Sequence, residues 1–408
     1  MAIDFTSFNA ALNKVIRPAI EAQMYARAPM WQLLGGWSAE KPAPTRANVL
    51  VDRFENNKMY VPLRLSYHSG YAAVGISEKY NYGQPKISES YSGIKTLVTS
   101  FTIPKQLLNV KDAGAIVKPL KFYSESASRD LAMHANRQVY GSGNAVVALA
   151  GTSGSSSTTL TLKASLNGDI DHARYLPEGS RIKIGSGAAT TVTAQTGDNT
   201  VTIADARNWS ADDNVVLLTG DDNAMQEIDG FAGMIAASGV YQALDPANAY
   251  SWVSPVDTQA ETIYTAGIQK KIHTQFFKAN KVGNVKWIIM NSSAFQCYGN
   301  SLQGQIRFQA KDVLSGGWKG LDYMQGNAEI LLDYDCPDDT ILGLTVEDVV
   351  FGEFQKFDFE KGTDGVMLKI AGKLDYEVTG SWMGNLGTVA RAAHFALRNK
   401  TFSQNATA

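Results

Sequence analysis

Histidines are the first candidates for proton transfer or metal binding near neutral pH. The chain has five of them: His68, His134, His172, His273 and His394. Their spacing is not that of metal ligands, and only His172 has an acidic neighbour in the sequence, Asp171. A nucleophile elbow, a phosphate-binding loop and a dinucleotide-binding fingerprint are missing as well. The sequence therefore predicts no catalytic, metal-binding or cofactor-binding residues, and we expect that the protein is not an enzyme.

Two groups of aspartates could offer oxygen ligands to Ca²⁺. One is formed by Asp212-Asp213 with Asp221-Asp222, and the other, around Cys336-Pro337, by Asp333, Asp335, Asp338 and Asp339. Neither has the glycine and the terminal glutamate of a calcium-binding loop, so both are interpreted as solvated turns. Cys297 and Cys336 could formally make one disulfide bridge, but they are interpreted as buried free thiols.

Composition narrows the class of protein. The 408 residues are 44% apolar and 19% charged, which is enough for a large buried core. The net charge of -2 gives no overall positive field, so any contact with DNA must be local. No stretch approaches the roughly 18 apolar residues that span a bilayer, and the amino end carries no secretion signal. We expect a soluble protein of the cytosol in which it is made.

The amino-terminal part has the pattern of an arm. Apolar residues recur at helical spacing between Thr6 and Ala28, but Pro18 divides them into two short helices. Beyond them, Trp31 and Trp37 have little local periodicity that could bury them. They are expected to pack against another part of the chain or another subunit or, as the alternative of equal weight, locally on their own domain.

Alternating apolar residues predict two long strands, at residues 59–67 and 88–103. The segment between them, 69–86, is rich in glycine and tyrosine and lacks apolar periodicity, as the tip of a long hairpin would. Because two strands alone are only marginally stable in water, this hairpin needs a partner surface.

The middle of the chain joins a long helix to a β module. An apolar stripe from Pro119 to Val139, followed by Gly141, predicts one long helix. At Gly141 the composition changes to Gly, Ser, Thr and Ala, with short alternating runs as far as Met225. This change predicts an all-β module inserted into a host domain.

The last third of the chain alternates helix and strand patterns. Thr258-Gln-Ala-Glu261 matches a capping box in front of an apolar helical stripe, Tyr264, Ile268, Ile272 and Phe276. A buried strand at 286–290 precedes a short helix capped by Asn291. Four more strands are predicted, at residues 330–334, 341–345, 349–354 and 366–374. These elements predict an α+β unit.

The order of these features resembles the major capsid proteins of tailed bacteriophages, which have the Hong Kong 97-type fold. Ser100-Phe-Thr-Ile-Pro-Lys-Gln-Leu-Leu108 looks like the family's strand that leaves the hairpin, and residues 119–143 look like its spine helix. Asp229-Gly-Phe-Ala-Gly-Met234 is similar to the return into the peripheral domain. Trp287-Ile-Ile-Met-Asn-Ser-Ser-Ala-Phe295 is similar to the axial-domain strand and its helix.

The resemblance implies the α+β fold of that family with a small all-β insertion domain. It divides the chain into an amino-terminal arm (1–58), an extended hairpin loop (59–103), a peripheral domain with the spine helix (104–143), the inserted β domain (144–225), a return to the peripheral domain (226–256), an axial domain (257–372) and a carboxy-terminal segment (373–408).

The resemblance also implies a structural protein that assembles into hexamers and pentamers, which form the icosahedral capsid around the double-stranded DNA of a tailed phage. The implied partners are further copies of the chain, a portal protein, a scaffolding protein and a decoration protein, with non-specific contact to packaged DNA and none to a membrane. The implied location is the virion capsid, assembled in the cytoplasm of the host bacterium.

Two sets of residues become candidates for contacts. Contacts between subunits are expected at Trp31, Trp37, Tyr71, Tyr80 and Tyr82. Contacts with packaged DNA are expected at four basic residues that in the family's geometry lie toward the inner side: Lys14, Arg17, Lys118 and Lys121. Solvation or salt bridges between subunits are the alternative for these four.

Other classes of protein stay open. An encapsulin-like cellular compartment shares the fold, although the insert and the chain length favour a virus. A surface or adhesin protein would fit the Ser/Thr-rich β segment but not the missing signal sequence. An enzyme with a motif-free active site is the remaining alternative.

Overall fold

The computed structural model describes residues 29–35, 54–66, 69–70, 73–76, 78–79, 82–104, 113–163, 172–248, 252–302, 321–322, 328–361, 367–370, 372–373 and 375–405. Its helices are α1 (Pro29–Gly35), α2 (Ala113–Tyr140), α3 (Phe231–Met234), α4 (Thr265–Ala279) and α5 (Ser292–Leu302). The two short helices predicted before residue 29 lie outside the described residues. No helix in the described part of the chain is long and apolar enough to cross a membrane.

The strands are numbered along the chain. Those before α2 are β1 (Phe54–Glu55), β2 (Lys58–Arg64), β3 (Ile87–Gly93) and β4 (Lys95–Pro104). Those of the insert are β5 (Val146–Leu149), β6 (Gly154–Thr161), β7 (Arg181–Ile184), β8 (Thr190–Gly197), β9 (Thr200–Trp209) and β10 (Asn214–Leu217). The others are β11 (Val256–Asp257), β12 (Glu261–Tyr264), β13 (Trp287–Met290), β14 (Leu321–Asp322), β15 (Glu329–Leu332), β16 (Ile341–Leu344), β17 (Val349–Phe359), β18 (Met367–Lys369), β19 (Asp375–Thr388), β20 (Phe395–Leu397) and β21 (Lys400–Ser403).

Helix α2 is the long helix that the apolar stripe predicts. Leu131, Ala135 and Val139 are buried along it. The helix begins at Ala113, before Pro119, and ends at Tyr140 beside the expected glycine. It packs on β4.

The predicted hairpin is formed by the antiparallel pair β2 and β3, with β1 added at its edge. The strand predicted at 88–103 is in fact two strands, separated at Ile94. Strand β4 leaves the hairpin and pairs along its whole length with β19. On its other side β19 pairs with β17 and β18, so the carboxy-terminal part of the chain completes the sheet that supports α2.

A glycine allows the hairpin to pack closely on this second sheet. A Cβ placed on Gly352 of β17 would lie 2.0 Å from Sδ of Met59 on β2. Met59, Val61 and Leu63 are all buried on that side of the hairpin. The absence of a side chain at position 352 therefore leaves room for Met59 between the two sheets.

The insert forms its own six-stranded antiparallel sheet, in the order β5-β10-β7-β8-β9-β6, over its own apolar core. Its two ends meet. The N–H of Leu217 donates to the carbonyl of Ala145 (3.0 Å), and the N–H of Met225 donates to the carbonyl of Leu217 (3.0 Å). A module whose ends lie together fits into a loop of a host domain with little disturbance.

The third sheet is mixed, in the order β11-β20-β16-β13-β15-β14. Strand β13 is buried throughout, parallel to β15 and antiparallel to β16. Helices α4 and α5 share one core with this sheet, and Ile268, Ile272 and Phe276 of α4 are buried as predicted. Asn291 stands at the predicted cap position, because its backbone carbonyl accepts the N–H of Phe295 (2.9 Å), while its side-chain oxygen accepts the N–H of the adjacent Ser292.

The predicted capping box is wrong. The N-cap of α4 is Tyr264, without a side-chain hydrogen bond. Glu261 instead begins β12, which pairs in parallel with β21, and its carboxylate binds Lys271 and Lys400. The match at Thr258 and Glu261 is local, whereas the pairing with β21 depends on residues about 140 positions away.

Candidate functional site

The described histidines do not form a catalytic set. His394 is buried and hydrogen-bonded to the N–H of Thr345 (3.2 Å) and to the hydroxyl of Thr388 (2.9 Å). Burial lowers its pKa to about 3. Burial and the charge of Arg137 lower the pKa of His134 to about 4. Both imidazoles therefore stay neutral at neutral pH and belong to the packed interior.

The two cysteines are free and buried, as predicted. Burial raises the pKa of Cys297 to about 11 and holds that of Cys336 well above its usual value, so neither is a reactive thiolate at neutral pH. Among the residues that the structure describes, no three His, Cys, Asp or Glu side chains come together as metal ligands.

The acidic loop 333–339 is more than a solvated turn. Asp333 and Asp338 are buried. Asp333 accepts hydrogen bonds from the Tyr140 hydroxyl (2.6 Å) and from Asn136 Nδ2 (3.2 Å), both on α2. Because both carboxylates are buried, the interpretation as a solvated turn is wrong for them. The sequence does not reveal this, since the partners of Asp333 lie more than 190 residues away.

Asp335 extends the same cluster to the insert. Its carboxylate accepts hydrogen bonds from Asn136 Nδ2 (2.6 Å) and from the hydroxyl of Tyr175 (2.5 Å), and it pairs with Arg174. One loop of the mixed sheet thus joins the long helix to the insert. We call this cluster the polar junction: Asn136, Tyr140, Arg174, Tyr175, Asp333 and Asp335.

The electrostatics of the polar junction favour a proton on Asp333. Burial, and then the charge of Asp335, raises its pKa to about 6, against the opposing hydrogen bonds from Tyr140 and Asn136. Burial and the same carboxylates also raise the pKa of Tyr140 well above its usual value. The polar junction can hold α2, the insert and the loop 333–339 together. Its contribution to the stability of the folded chain depends on pH.

The other aspartate group matches the prediction of solvated turns. Asp212 and Asp222 are exposed at turns of the insert. Asp212 pairs with Lys163 (2.6 Å), and Asp222 pairs with Arg181. Exposed pairs of this kind contribute little to stability.

The two limbs of the hairpin stay together beyond the strands. The N–H of Leu65 donates to the carbonyl of Lys86 (2.8 Å), and the N–H of Lys86 donates to Ser66 Oγ (2.8 Å). Farther out, a Cβ on Gly83 would lie only 2.1 Å from Ser69 Oγ, so the limbs touch where one of them has no side chain. The hairpin is therefore an extended projection.

The tip of the hairpin is apolar and exposed. Val74 is 47% exposed and Ile76 is fully exposed at the tip, and Ile87, at the start of β3, is 71% exposed. A turn closes the tip, where Gly75 donates its N–H to Glu78 Oε2 (2.9 Å). Exposed apolar groups in one projection mark a site of contact with another surface. The residue types predicted to make contacts here are aromatic, and these aliphatic residues are not among them.

The structure corrects one predicted contact between subunits. Trp31 is fully buried in its own chain, against Phe351 (ring centroids 5.0 Å apart) and Trp382 (4.7 Å). Packing against another part of its own chain is therefore the right alternative for Trp31. Tyr82 is 88% exposed near the hairpin tip. The other three predicted residues, Trp37, Tyr71 and Tyr80, lie outside the described residues.

The four predicted DNA-facing residues stay predictions. Lys14 and Arg17 lie outside the described residues. Lys118 and Lys121 lie in the first half of α2, where the backbone is described and the side chains are not.

Sequence reasoning also missed a structural arginine. Arg391 is buried and donates to the carbonyls of Met234 (2.9 Å), Gly239 (2.9 Å) and Gly233 (2.8 Å). It fixes the segment that follows α3. No local sequence pattern predicts this role, because the carbonyls that Arg391 binds lie about 150 residues earlier in the chain.

No family model and no curated protein matches the chain. Among solved structures it is similar to the capsid asymmetric unit of cyanophage A-1(L), with 14% identity, a TM-score of 0.48 and coverage of 92% of this chain and 93% of that one. It is also similar to the capsid of the native GTA particle, with 11% identity, a TM-score of 0.45 and coverage of 85% and 86%. A third similar structure is a virus-like particle from Pyrococcus furiosus, with 8% identity, a TM-score of 0.42 and coverage of 93% and 98%. All three are capsids or virus-like particles.

Proposed function

We propose that the chain is a capsid shell protein. In this proposal it is a structural protein and not an enzyme. Its copies assemble into hexamers and pentamers, which close into an icosahedral shell around the double-stranded DNA of a tailed phage. The observation that carries the proposal is the hairpin, whose base packs on the chain's own sheet while its apolar tip lies in solvent.

Burial of the tip supplies free energy for association. A fully buried Val or Ile side chain gains about 1.5–3 kcal/mol over an exposed one. From Arg64 to Ile76 the chain can extend up to about 40 Å, far enough to lie across a neighbouring copy. Because every copy gives one hairpin and receives another, the contact is head-to-tail and can close into rings. Interfaces of this obligate kind bury more than about 2,000 Å².

The insert belongs to the proposal as a module on the outer face of the shell. Its own core, its adjoining ends and its exposed charged turns support this placement. A decoration protein is the partner proposed for that face, and scaffolding and portal proteins are the partners proposed for assembly. The proposed place of assembly is the cytoplasm of the host bacterium, and the proposed location is the virion.

Expression of the full chain, followed by sedimentation and negative-stain microscopy, tests the proposal. We expect closed particles of uniform diameter. A chain that stays monomeric at high concentration, alone and with its scaffolding partner, would contradict the proposal. Closed shells that hold protein cargo and no DNA when isolated from their native source would favour the encapsulin-like alternative.

A further inference from the structure

One segment of this nearly neutral chain is strongly one-sided in charge. Between Glu261 and Asp312 the sequence has seven basic residues and no Asp or Glu. The whole chain has a formal charge of only -2. Helix α4 lies at the start of this segment. Basic residues without acidic neighbours in the sequence are therefore concentrated at this helix.

The outer face of α4 and the turn after it carry exposed lysines and a histidine. Ile268, Ile272 and Phe276 face the core, while Lys270, His273, Lys278 and Lys281 are exposed. Among the described residues these three lysines form no ion pair, in contrast to Lys271, which binds Glu261 (2.7 Å). Favourable interaction with the helix dipole explains a lysine in the last turn, such as Lys278, but not Lys270 or His273.

An exposed aromatic ring contacts two of these side chains. Phe277 is 58% exposed. The Nζ atom of Lys281 lies 5.4 Å from the centre of its ring, and the ring of His273 lies 6.3 Å from it. Cation–π contact restrains the lysine, so less side-chain entropy is lost when an anion binds. We call Lys270, His273, Phe277, Lys278 and Lys281 the α4 basic face.

We propose that the α4 basic face binds the phosphate backbone of duplex DNA. This inference rests on the proposed function, because a shell that encloses DNA must present an inner surface to it. Lys270 and Lys278 are eight residues apart, about 12 Å along the helix axis. Duplex DNA carries a negative charge about every 1.7 Å along its axis, so several phosphates lie within reach of this face. Lysines used as point charges contact phosphates without reading the base sequence.

A salt series on the full-length chain tests the proposal. Each neutralised phosphate contributes about 0.9 to the slope of log K against log salt concentration. The wild-type chain and the triple variant Lys270→Gln, Lys278→Gln, Lys281→Gln are titrated with two 30-base-pair duplexes of unrelated sequence. We expect equal binding to both duplexes and a slope that is shallower by about 2–3 in the triple variant.

The matched control removes three exposed lysines elsewhere, as Lys356→Gln, Lys369→Gln and Lys373→Gln. It changes the net charge by the same amount, and we expect a slope close to that of the wild type. An unchanged slope in the α4 variant, an equal loss in the control, or a preference for one duplex would each overturn the proposal. If the α4 variant loses shells but keeps DNA binding, the partner of the α4 basic face is an acidic protein surface and not DNA.

A labelling experiment tests whether the α4 basic face points inward. Both native cysteines are buried, so Thr274→Cys on this face introduces one accessible thiol. A 5 kDa maleimide-polyethylene glycol should label it in the unassembled chain and not in closed shells. Asp221→Cys on the insert is the control and should label in both. Full labelling of the Thr274→Cys variant in closed shells would overturn the inference and leave the proposed function intact. Failure of the wild type to form shells would affect the proposed function alone.

Discussion

Ile76 and Met59 occupy the same hairpin and have opposite surroundings. Met59 is buried against β17 of its own chain, whereas the side chain of Ile76 lies fully in solvent at the tip. A fully exposed residue contributes no burial to the stability of a single chain. Its apolar surface gains free energy only when another surface covers it.

We therefore expect Ile76→Asp to prevent assembly without weakening the folded chain. The charge would have to be desolvated in the contact between copies, at a cost of several kcal/mol per copy. Thermal unfolding of the dilute chain should be unchanged, and particle yield by sedimentation should fall sharply. Val240→Asp, at an exposed apolar residue outside the hairpin, is the control. Normal particles from Ile76→Asp would show that the tip is not a contact.

Asp333 makes stability depend on pH. Its pKa is about 6 in the folded chain, mainly because it is buried, and about 4 in an unfolded one. Between these values the folded chain holds a proton that the unfolded chain has released. The free energy of unfolding therefore falls as pH rises from about 4 to about 6, and the contribution is lost above that window.

We expect Asp333→Asn to remove this part of the pH dependence. Urea unfolding between pH 4 and pH 7 should show a loss on the order of 3 kcal/mol in the wild type that the variant lacks. Asp348, whose pKa burial also raises to about 6, acts in the same direction, so Asp348→Asn should remove a separate share. Parallel pH curves for the wild type and Asp333→Asn would contradict the assignment.

Helix α1 is a short element that depends on tertiary packing. It has only seven residues, fewer than an isolated helix needs in water. Its Trp31 fills the space between Phe351 and Trp382. The helix therefore belongs to the core of the chain, although it lies in the segment predicted to be an arm.

Two variants separate the core role of this segment from its proposed role in assembly. Trp31→Ala should cost about 3–5 kcal/mol in the free energy of unfolding, because a large cavity replaces the indole. Deletion of residues 1–28 leaves α1 in place and should not lower the unfolding temperature, while stable particles should be lost. Intact particles from the deletion would refute a role for the arm, and an unchanged stability of Trp31→Ala would contradict the packing.

The insert should be removable without unfolding the rest of the chain. Its core is separate and its ends adjoin at Leu217. A chain in which a short linker joins Gly143 to Gln226 should fold, with lower stability because the polar junction loses Arg174 and Tyr175. Circular dichroism and thermal unfolding measure both effects. Insolubility with every linker length would show that the insert is part of the host core.

At the scale of the whole molecule, the sequence predicted what local pattern determines. The stripes of α2 and α4, the buried strand β13 and the cap at Asn291 depend on neighbours within a few residues. Strand β19 was not predicted, because its residues alternate between glycine, polar and apolar types. Its burial comes from β4 on one side and β17 on the other, which only the folded chain brings together.

For the candidate sites too, local features could be predicted from the sequence and contacts between distant residues could not. The exposed turns at Asp212 and Asp222 could be predicted from composition. The polar junction could not, since Asp333 finds its partners on a helix 193 residues earlier. The sequence left open whether Trp31 packs within its own chain or against another subunit, because its partners Phe351 and Trp382 are more than 300 residues away.

The proposed shell is tested most directly by a cryo-electron microscopy reconstruction of the assembled particle at side-chain resolution. We expect an icosahedral shell in which Val74, Ile76 and Ile87 of each hairpin are buried against a neighbouring copy. A shell in which these three side chains remain in solvent, or particles without closed symmetry, would contradict it.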